Sequence, residues 1–345
     1  MNEESSLITR RNAVARMALG AAGFLGADWF AETALAELKW TVLKAEGRDY
    51  LPLREIGAFY RLGPMQQNER EFVLPIGRSS LRGEVNSQEF YISRIKFILS
   101  YPILEVDGQW CMSRMDLVKL LEPVLRPSKI PSAGRVETVV LDPGHGGHDS
   151  GAVGHLGREK DLTLDVAMRA QAAFLKAGYR VQMTRVRDEF ISLEDRVLFA
   201  NKFQRALFIS IHFNASGNGT GIETYTLSPR GVPSMASDGP KVTDFTLCPG
   251  NARDAENMAL ATATHAAVVT NAQIPDRGIK RARFYVIRQT VLPSVLLEGG
   301  FVTNAEEMRK IATADYRQRL ANSLLEAVTN YRKALTPNPL GSEAK

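Results

Sequence analysis

The sequence is poor in cysteine, and it lacks both a membrane-spanning apolar run and a block of clustered basic residues. Its only cysteines, Cys111 and Cys248, lie far apart and form no C-x-x-C or zinc-finger spacing. The apolar stretch Met17–Ala27 is too short to cross about 30 Å of hydrocarbon. We therefore expect no finger or dithiol redox site, no transmembrane span in the mature chain and no nucleic-acid partner. Whether the two cysteines pair is left open.

The chain has the length and apolar content of a globular protein. Its 345 residues suit about two domains, and a hydrophobic fraction of 44% is ample for a core. The net charge of +5 is mildly basic, which fits an anionic polymer or surface as a partner without selecting one.

Residues 1–36 are typical of a secretory leader. Arg10 and Arg11 precede the apolar run, and Ala34-Leu-Ala36 supplies the small residues that a signal peptidase reads. The arginine pair resembles a twin-arginine signal, although Ala13 and Val14 stand where a large apolar pair is usual. The sequence predicts export to the periplasm or cell envelope, and it leaves the route of export open.

Residues 37–125 contain two similar segments in which a hairpin precedes a helix. The first hairpin turns at Gly47 and leads to a helix over 53–59; the second turns at Asp107-Gly108 and leads to a helix capped by Ser113. This pattern resembles the small α+β module named after the N-terminal domain of copper amine oxidases, but we find no cluster of metal ligands in it. We interpret the module as a spacer or a wall-contacting unit.

A Pro/Ser/Gly-rich stretch at 126–135 predicts a linker, after which strands alternate with helices over 136–335. This alternation predicts an α/β domain with a mostly parallel sheet and helices on both faces, preceded by the small α+β domain. The segment 228–253 reads as a long loop without helical periodicity, 283–287 as a strand and 336–345 as a disordered tail.

Three of the predicted strands run into a residue that can bind metal or carry a proton. They lead to His145, His212 and Glu298, and the carboxyl ends of parallel strands meet at one sheet edge. A catalytic zinc takes three His/His/carboxylate ligands and keeps one position open for water. Glu159, at the start of the next helix, fits as the third ligand, which leaves Glu298 as the proton carrier for hydrolysis of an amide.

Each of these residues also has a structural interpretation. His145 could be a turn residue, although no Lys-Ser/Thr follows it as in a nucleotide P-loop. His212 could be a histidine at a strand end whose ring is hydrogen-bonded within the fold. Glu159 could be a carboxylate stabilised by the helix dipole, and Glu298 could be an acid in a salt bridge. Two other histidines of the same loop, His148 and His155, could substitute as ligands, but we expect outer roles for them; the mid-helix histidine at position 265 reads as structural.

Five motifs, in this order, resemble the zinc-dependent N-acetylmuramoyl-L-alanine amidases of the amidase-3 type. They are Leu-Asp-Pro-Gly-His145-Gly-Gly, Arg-Glu159-Lys-Asp-Leu-Thr-Leu, Ser-Ile-His212-Phe-Asn-Ala-Ser, Arg277-Gly-Ile-Lys with Phe284-Tyr-Val-Ile-Arg288, and Pro293-Ser-Val-Leu-Leu-Glu298-Gly-Gly-Phe-Val-Thr-Asn304. The likeness spans about 136–332. It implies that the two histidines and the first glutamate bind one Zn²⁺ and that the late glutamate is catalytic.

The resemblance implies an exported hydrolase that cuts peptidoglycan between the lactyl group of muramic acid and L-alanine, with an activator protein as a further candidate partner. Asn214 and Arg281 are candidates for substrate binding; Arg281 could hold stem-peptide carboxylates or belong to a solvated strand edge. Two alternatives are a catalytically idle wall-binding scaffold and a zinc peptidase acting within the stem peptide. Several members of the family place a regulatory helix over the zinc. Residues 228–253 have no helical periodicity, so the sequence does not predict such a helix here.

Overall fold

The computed structural model describes residues 40–131, 134–217, 219–236 and 239–336. The predicted leader, 1–36, and all of the predicted tail except Thr336 lie outside these ranges. Within them, every helix is too short or too polar to cross a membrane.

The strands of the described residues form a small sheet, a large sheet and a two-stranded ribbon. The small sheet has the order β1-β2-β9-β8, the large one β13-β10-β14-β17-β15-β16-β7-β6-β5-β4-β3, and the ribbon pairs β11 with β12. The strands are β1 (Leu43–Ala45), β2 (Arg48–Pro52), β3 (Gln66–Gln67), β4 (Glu71–Ile76), β5 (Ser79–Glu84), β6 (Glu89–Ile92), β7 (Ile95–Ile98), β8 (Leu104–Val106), β9 (Gln109–Ser113), β10 (Thr138–Pro143), β11 (Val153–Gly154), β12 (Gly157–Arg158), β13 (Arg180–Met183), β14 (Ala206–Asn214), β15 (Ile222–Leu227), β16 (Asp276–Ala282) and β17 (Ser294–Phe301).

The helices connect and cover these strands. They are α1 (Leu53–Phe59), α2 (Arg114–Asp116), α3 (Glu122–Leu125), α4 (Glu159–Lys176), α5 (Leu193–Ala200), α6 (Asp254–Ala272), α7 (Tyr285–Gln289), α8 (Ala305–Ile311) and α9 (Ala314–Leu335), with a π-helical turn, Leu117–Leu121, between α2 and α3. The predicted strand at 283–287 is wrong: the strand ends at Ala282, and Val286 and Ile287 are adjacent buried residues of α7. Adjacent residues can both be buried on a short helix that lies in a core.

The predicted α/β architecture is confirmed in the second half of the chain. Strands β13, β10, β14 and β17 run parallel, β15 lies antiparallel to β17, and β16 runs parallel to β15. Every residue of β10 is buried, as expected of a strand covered on both faces. Val139 and Leu141 belong to one core with α4, α6 and α9, while Val140 belongs to a second core with α5 and α7.

The first part of the chain extends this sheet. Phe97 of β7 pairs with Ile279 of β16, and β6, β5, β4 and β3 continue outward as an antiparallel series. The repeated hairpin–helix segments form the separate small sheet, in which β2 pairs with β9. Within the predicted linker, residues Pro127–Lys129 form a 3-10 helix, and Ile130 and Val136 are buried in the shared core. One hydrophobic core therefore runs through both predicted parts.

Candidate functional site

His145 occupies a backbone conformation that few histidines adopt. It follows β10 with φ of 61°, in the left-handed region, and three glycines surround it. A Cβ on Gly144 would lie 2.2 Å from Cε1 of His212, so only glycine lets the two imidazoles approach with ring centroids 5.0 Å apart. Strained residues held in this way occur at functional sites.

The structure brings His145, Glu159 and His212 together. Glu159 Oε1 lies 3.1 Å from His145 Nε2 and 3.0 Å from His212 Nδ1. One ligand atom from each of the three residues lies within 4.8 Å of the others, and no other cluster of this kind occurs among the described residues. Two imidazole nitrogens and one carboxylate oxygen converge here, so the cluster could hold a metal ion.

Neighbouring groups orient these three side chains. Asp149 Oδ2 lies 2.8 Å from His145 Nδ1, which leaves Nε2 facing the cluster. Glu159 is 4% exposed and accepts hydrogen bonds from the backbone N–H groups of Phe213 at 3.0 Å and Ala152 at 2.8 Å. Burial alone would raise the pKa of Glu159, but its bonds to the two histidines hold that pKa well below its usual value. The carboxylate is therefore ionised and ready to bind a cation.

Glu298 lies beside this cluster on the adjacent strand. In the parallel pairing of β14 and β17 it is the register partner of His212. Its Oε2 atom is buried, and no donor bonds to it among the residues that the structure describes. Burial, reinforced by the negative charges of Glu159 and Glu223, raises the pKa of Glu298 well above its usual range. A buried carboxyl group with a raised pKa is a candidate for accepting and releasing a proton in catalysis.

Glu223 was not predicted from the sequence, yet it continues a row of register partners that runs from His212 on β14 through Glu298 on β17 to Glu223 on β15. It is the antiparallel partner of Glu298 and is 2% exposed. Its oxygens accept hydrogen bonds from Tyr225 Oη at 2.7 Å, Arg277 Nε at 2.6 Å and Lys280 Nζ at 2.5 Å. Burial opposes ionisation, but Lys280, Arg277 and Tyr225 lower the pKa of Glu223. The available signal was a single charged residue inside a predicted strand whose other residues are uncharged.

The two candidates for substrate binding have different places. Asn214 ends β14, and its Nδ2 donates to Glu223 Oε2 at 2.9 Å, so it lies in the same row. Arg281 does not lie there: it is 2% exposed and its guanidinium is 4.0 Å from Asp116. Because β15 and β16 run antiparallel to β17, their carboxyl ends lie at the sheet edge opposite Glu298. Of the two arginines of β16, Arg277 at the start of the strand lies next to Glu223, whereas Arg281 lies at the opposite edge.

The segment 228–253 also follows the carboxyl end of β15 and so begins at that opposite edge. Its described part contains the 3-10 helices Val242–Phe245 and Pro249–Arg253 and no α-helix. Arg283 holds the segment, donating to the carbonyls of Pro229 and Asp244 at 2.8 and 2.7 Å. The described segment therefore does not place an α-helix over His145, Glu159 and His212.

The remaining histidines are not in the cluster. His148 is exposed and stacks on Phe190, and His155 is exposed in the ribbon of β11 and β12. His265 is fully buried and bonds to Thr224 Oγ1 and Asp276 Oδ1, both at 2.8 Å. These contacts agree with the expected outer roles of the first two and the structural role of the third.

Two buried arginines fasten the loop that carries His145. Arg196 of α5 bonds to Asp142 Oδ1 at 2.7 Å and donates to the carbonyls of Pro143 and His145, both at 2.8 Å. Arg185 is 2% exposed and donates to the carbonyls of Pro143 and Gly144 at 3.0 and 2.8 Å, among other acceptors. Charge-assisted bonds of this kind hold a ligand loop in one conformation.

Residues 139–330 match a protein family described as N-acetylmuramoyl-L-alanine amidase, of the amidase-3 type. The chain is similar to the amidase LytC of Bacillus subtilis, with 35% identity over 197 residues that cover 56% of this chain and 35% of LytC. It is similar to the amidase AmiA of Escherichia coli K12, with 32% identity over 247 residues that cover 64% of this chain and 84% of AmiA.

Among solved structures, the chain is similar to the catalytic domain of the amidase CwlV from Bacillus (Paenibacillus) polymyxa. The identity is 31% and the TM-score 0.48, with 58% of this chain and 99% of that domain covered. The chain thus spans about a third of the length of LytC and most of the length of AmiA. The family match covers more than half of the sequence and contains all four predicted site residues, His145, Glu159, His212 and Glu298. This chain belongs to the N-acetylmuramoyl-L-alanine amidase family.

Proposed function

We propose that this protein is an exported, zinc-dependent amidase that hydrolyses the bond between the lactyl group of N-acetylmuramic acid and L-alanine in peptidoglycan. The observation that carries the proposal is the convergence of His145, Glu159 and His212 one strand away from Glu298. Membership of the amidase family supports the choice of bond.

The donor set supports zinc as the metal. Two imidazoles and one carboxylate are the ligands of many catalytic zinc sites, in which a fourth position stays open. His145 and His212 are each about one fifth exposed as side chains, while Glu159 is almost fully buried. Zinc bound by these residues would polarise the scissile carbonyl and lower the pKa of a water molecule to about 7.

Glu298 supplies the proton transfers. Its carboxylate accepts a proton from the attacking water and returns it to the alanine nitrogen, so that the amine leaves in neutral form. Water adds to the lactyl carbonyl carbon, the C–N bond breaks, and a free carboxylate and a free amine result. Oε2 of Glu298 has no bonding partner among the described residues, so this oxygen is available to take up the proton of the water.

The proposal of export rests on the sequence. The arginine pair, the apolar run and Ala34-Leu-Ala36 have the order of a leader directed to the periplasm or cell envelope, and they lie outside the described residues. An activator protein remains a prediction from the resemblance.

Mass analysis of digested peptidoglycan tests the function. We expect free stem peptides that begin with L-alanine and glycan strands that keep the lactyl group. Truncated stems still attached to sugar would instead identify a zinc peptidase, and undigested wall with protein bound to it would identify an idle scaffold. Metal analysis of the protein from Glu37 onward should give about one zinc per chain.

A substitution of Glu298 tests the mechanism. Glu298→Gln should lower kcat by about 10²- to 10⁴-fold, because the amide cannot carry the proton, while zinc content and the thermal unfolding curve stay unchanged. Glu306→Gln is the matched control, since Glu306 is an exposed residue of α8. Full activity of Glu298→Gln would contradict the role given to this residue.

A further inference from the structure

An exposed aromatic pair lies next to the metal-ligand loop. The rings of His148 and Phe190 stack with centroids 4.2 Å apart and planes inclined by 32°. Phe190 is 46% exposed, although it is a large apolar side chain. A Cβ on Gly147 would lie 2.7 Å from the backbone nitrogen of Phe190, so the pair lies directly against a residue two positions from His145.

The loop that carries Phe190 is held firmly at this position. Asp188 Oδ1 accepts a hydrogen bond from Gly147 N at 2.7 Å, and Asp188 Oδ2 accepts one from Lys160 Nζ at 2.7 Å. Lys160, which is 5% exposed, also donates to the Gly147 carbonyl at 2.7 Å. The buried Lys160 and the more exposed Asp188 thus fix a loop whose apolar ring faces solvent. A ring fixed in this way loses little entropy when it binds a ligand.

The opposite side of the site has a different chemistry. Arg277 and Lys280 both bond to the single carboxylate of Glu223, so this group of three carries a net positive charge. It lies on β15 and β16, whereas the aromatic pair lies beyond β10 and β13. With about 4.8 Å between strands, β16 is about 10 Å from β17 and Glu298, on the side away from the aromatic pair.

We infer that this asymmetry orients the substrate: the sugar next to the cleaved bond stacks on His148 and Phe190, and the stem peptide extends towards Arg277 and Lys280. The inference rests on the proposed amidase function. A pyranose ring presents a face of C–H groups, which packs on an aromatic face, whereas a stem peptide carries carboxylates that pair with cations. The metal ligands and Glu298 lie between the two sides, where the scissile amide belongs.

The kinetic test compares two small substrates that share the scissile amide. One is an N-acetylmuramoyl peptide, and the other is the same peptide with only a lactyl group in place of the sugar. Phe190→Ala should raise KM for the muramoyl peptide about three- to tenfold and leave KM for the lactyl peptide unchanged. Phe190→Trp should restore the KM for the muramoyl peptide, because it keeps an aromatic face.

Phe245→Ala is the matched control, since Phe245 is 63% exposed in the segment at the opposite sheet edge. It should leave both KM values unchanged. An equal rise of KM for both substrates in Phe190→Ala would show that the ring contacts the peptide, and an unchanged KM for both would show that it contacts neither. Either result overturns the inference.

A binding measurement without catalysis separates this inference from the proposed function. A peptide-free glycan of N-acetylglucosamine and N-acetylmuramic acid should change the fluorescence of Phe190→Trp beyond the change seen in the parent protein, whose tryptophans are at 29, 40 and 110. An absent change overturns the inference, even when the parent protein cleaves peptidoglycan. A parent protein that releases no L-alanine-terminated peptide contradicts the proposed function instead.

Discussion

His145 and Gly144 show how two adjacent residues shape the cluster of His145, Glu159 and His212. His145 takes a left-handed backbone conformation, which costs a non-glycine residue about 1–2 kcal/mol. That cost is offset by the bond that Arg196 donates to the His145 carbonyl and by the bond that Asp149 accepts from the His145 ring. Gly144 contributes differently: because it has no Cβ, the His212 ring can occupy the space beside its backbone.

Substitution of Gly144 should therefore damage the site without unfolding the chain. In Gly144→Ala the new Cβ would displace the His212 ring, and a displacement of about 1 Å lowers kcat/KM about a hundredfold. Zinc titration and amidase kinetics measure the effect. Gly157→Ala is the control from the same loop, because its Cβ would meet only ordinary contacts of 3.5 Å or more. Equal zinc affinity in the two variants would show that Gly144 has no such role.

At the scale of elements, a buried polar group joins β10 to α5, to β14 and to the residue that follows β13. Asp142, 1% exposed at the end of β10, bonds to Arg196 of α5, to Ser210 Oγ at 2.7 Å and to Thr184 Oγ1 at 2.6 Å. Burial alone would raise the pKa of Asp142, but Arg196 and these hydroxyls outweigh it and hold the pKa below its usual value. The elements around the site are thus joined through one ionised carboxylate.

Because its pKa is lower in the folded chain, Asp142 stabilises the fold above the unfolded-state pKa of about 3.9, and this contribution is lost as the pH falls through the folded-state pKa. Asp142→Asn should lower the free energy of unfolding by about 3–5 kcal/mol at neutral pH, since it leaves Arg196 buried without its partner. Urea unfolding of both proteins from about pH 7 to about pH 3 measures the difference, which should shrink at the acid end.

Asp161→Asn is the control for this prediction. Asp161 pairs with Arg158 on the surface, where its side chain is 47% exposed, and such pairs contribute little to stability. A difference between the parent protein and Asp142→Asn that stays constant over the whole pH range would contradict the titration of Asp142.

At the scale of the whole molecule, the first part of the chain completes the sheet of the second. Strand β7 pairs with β16, Lys96 N donates to Asp276 Oδ2 at 2.9 Å, and Tyr101 Oη donates to the Gly231 carbonyl at 2.9 Å. Arg281 is buried opposite Asp116. Without the first part, β16 would become an exposed edge and Arg281 would lose its nearest carboxylate.

We expect that a chain starting at Arg135 does not remain a soluble monomer. Its unpaired β16 edge would offer a template for pairing with other chains, and its exposed core would favour aggregation. Size-exclusion chromatography measures this. A chain starting at Trp40, which keeps all the described strands, is the control and should elute as the parent protein does. A monomeric, active chain from Arg135 would show that the two parts are independent domains.

The sequence by itself determined the alternation of strands and helices in the second half and several helix starts, and it singled out the four predicted site residues, which the structure places side by side. These features depend on local patterns: Ser192 caps α5, Asn304 caps α8 and Thr313 separates α8 from α9, each through bonds to nearby backbone N–H groups. The histidines and the late glutamate could be found because each ends or interrupts an apolar run that is readable without a partner.

Only the tertiary structure decided the direction of β15 and β16, and with it the positions of Glu223, Arg277 and Arg281 relative to Glu298. The sequence pattern of a strand is the same in a parallel and an antiparallel pairing, so it could not show that Arg281 lies at the edge opposite Glu298. The pairing of β7 with β16 joins residues about 180 positions apart, which no local pattern reveals. Strand order and direction are settled by burial and hydrogen bonding between distant segments, and these set which side chains face the site.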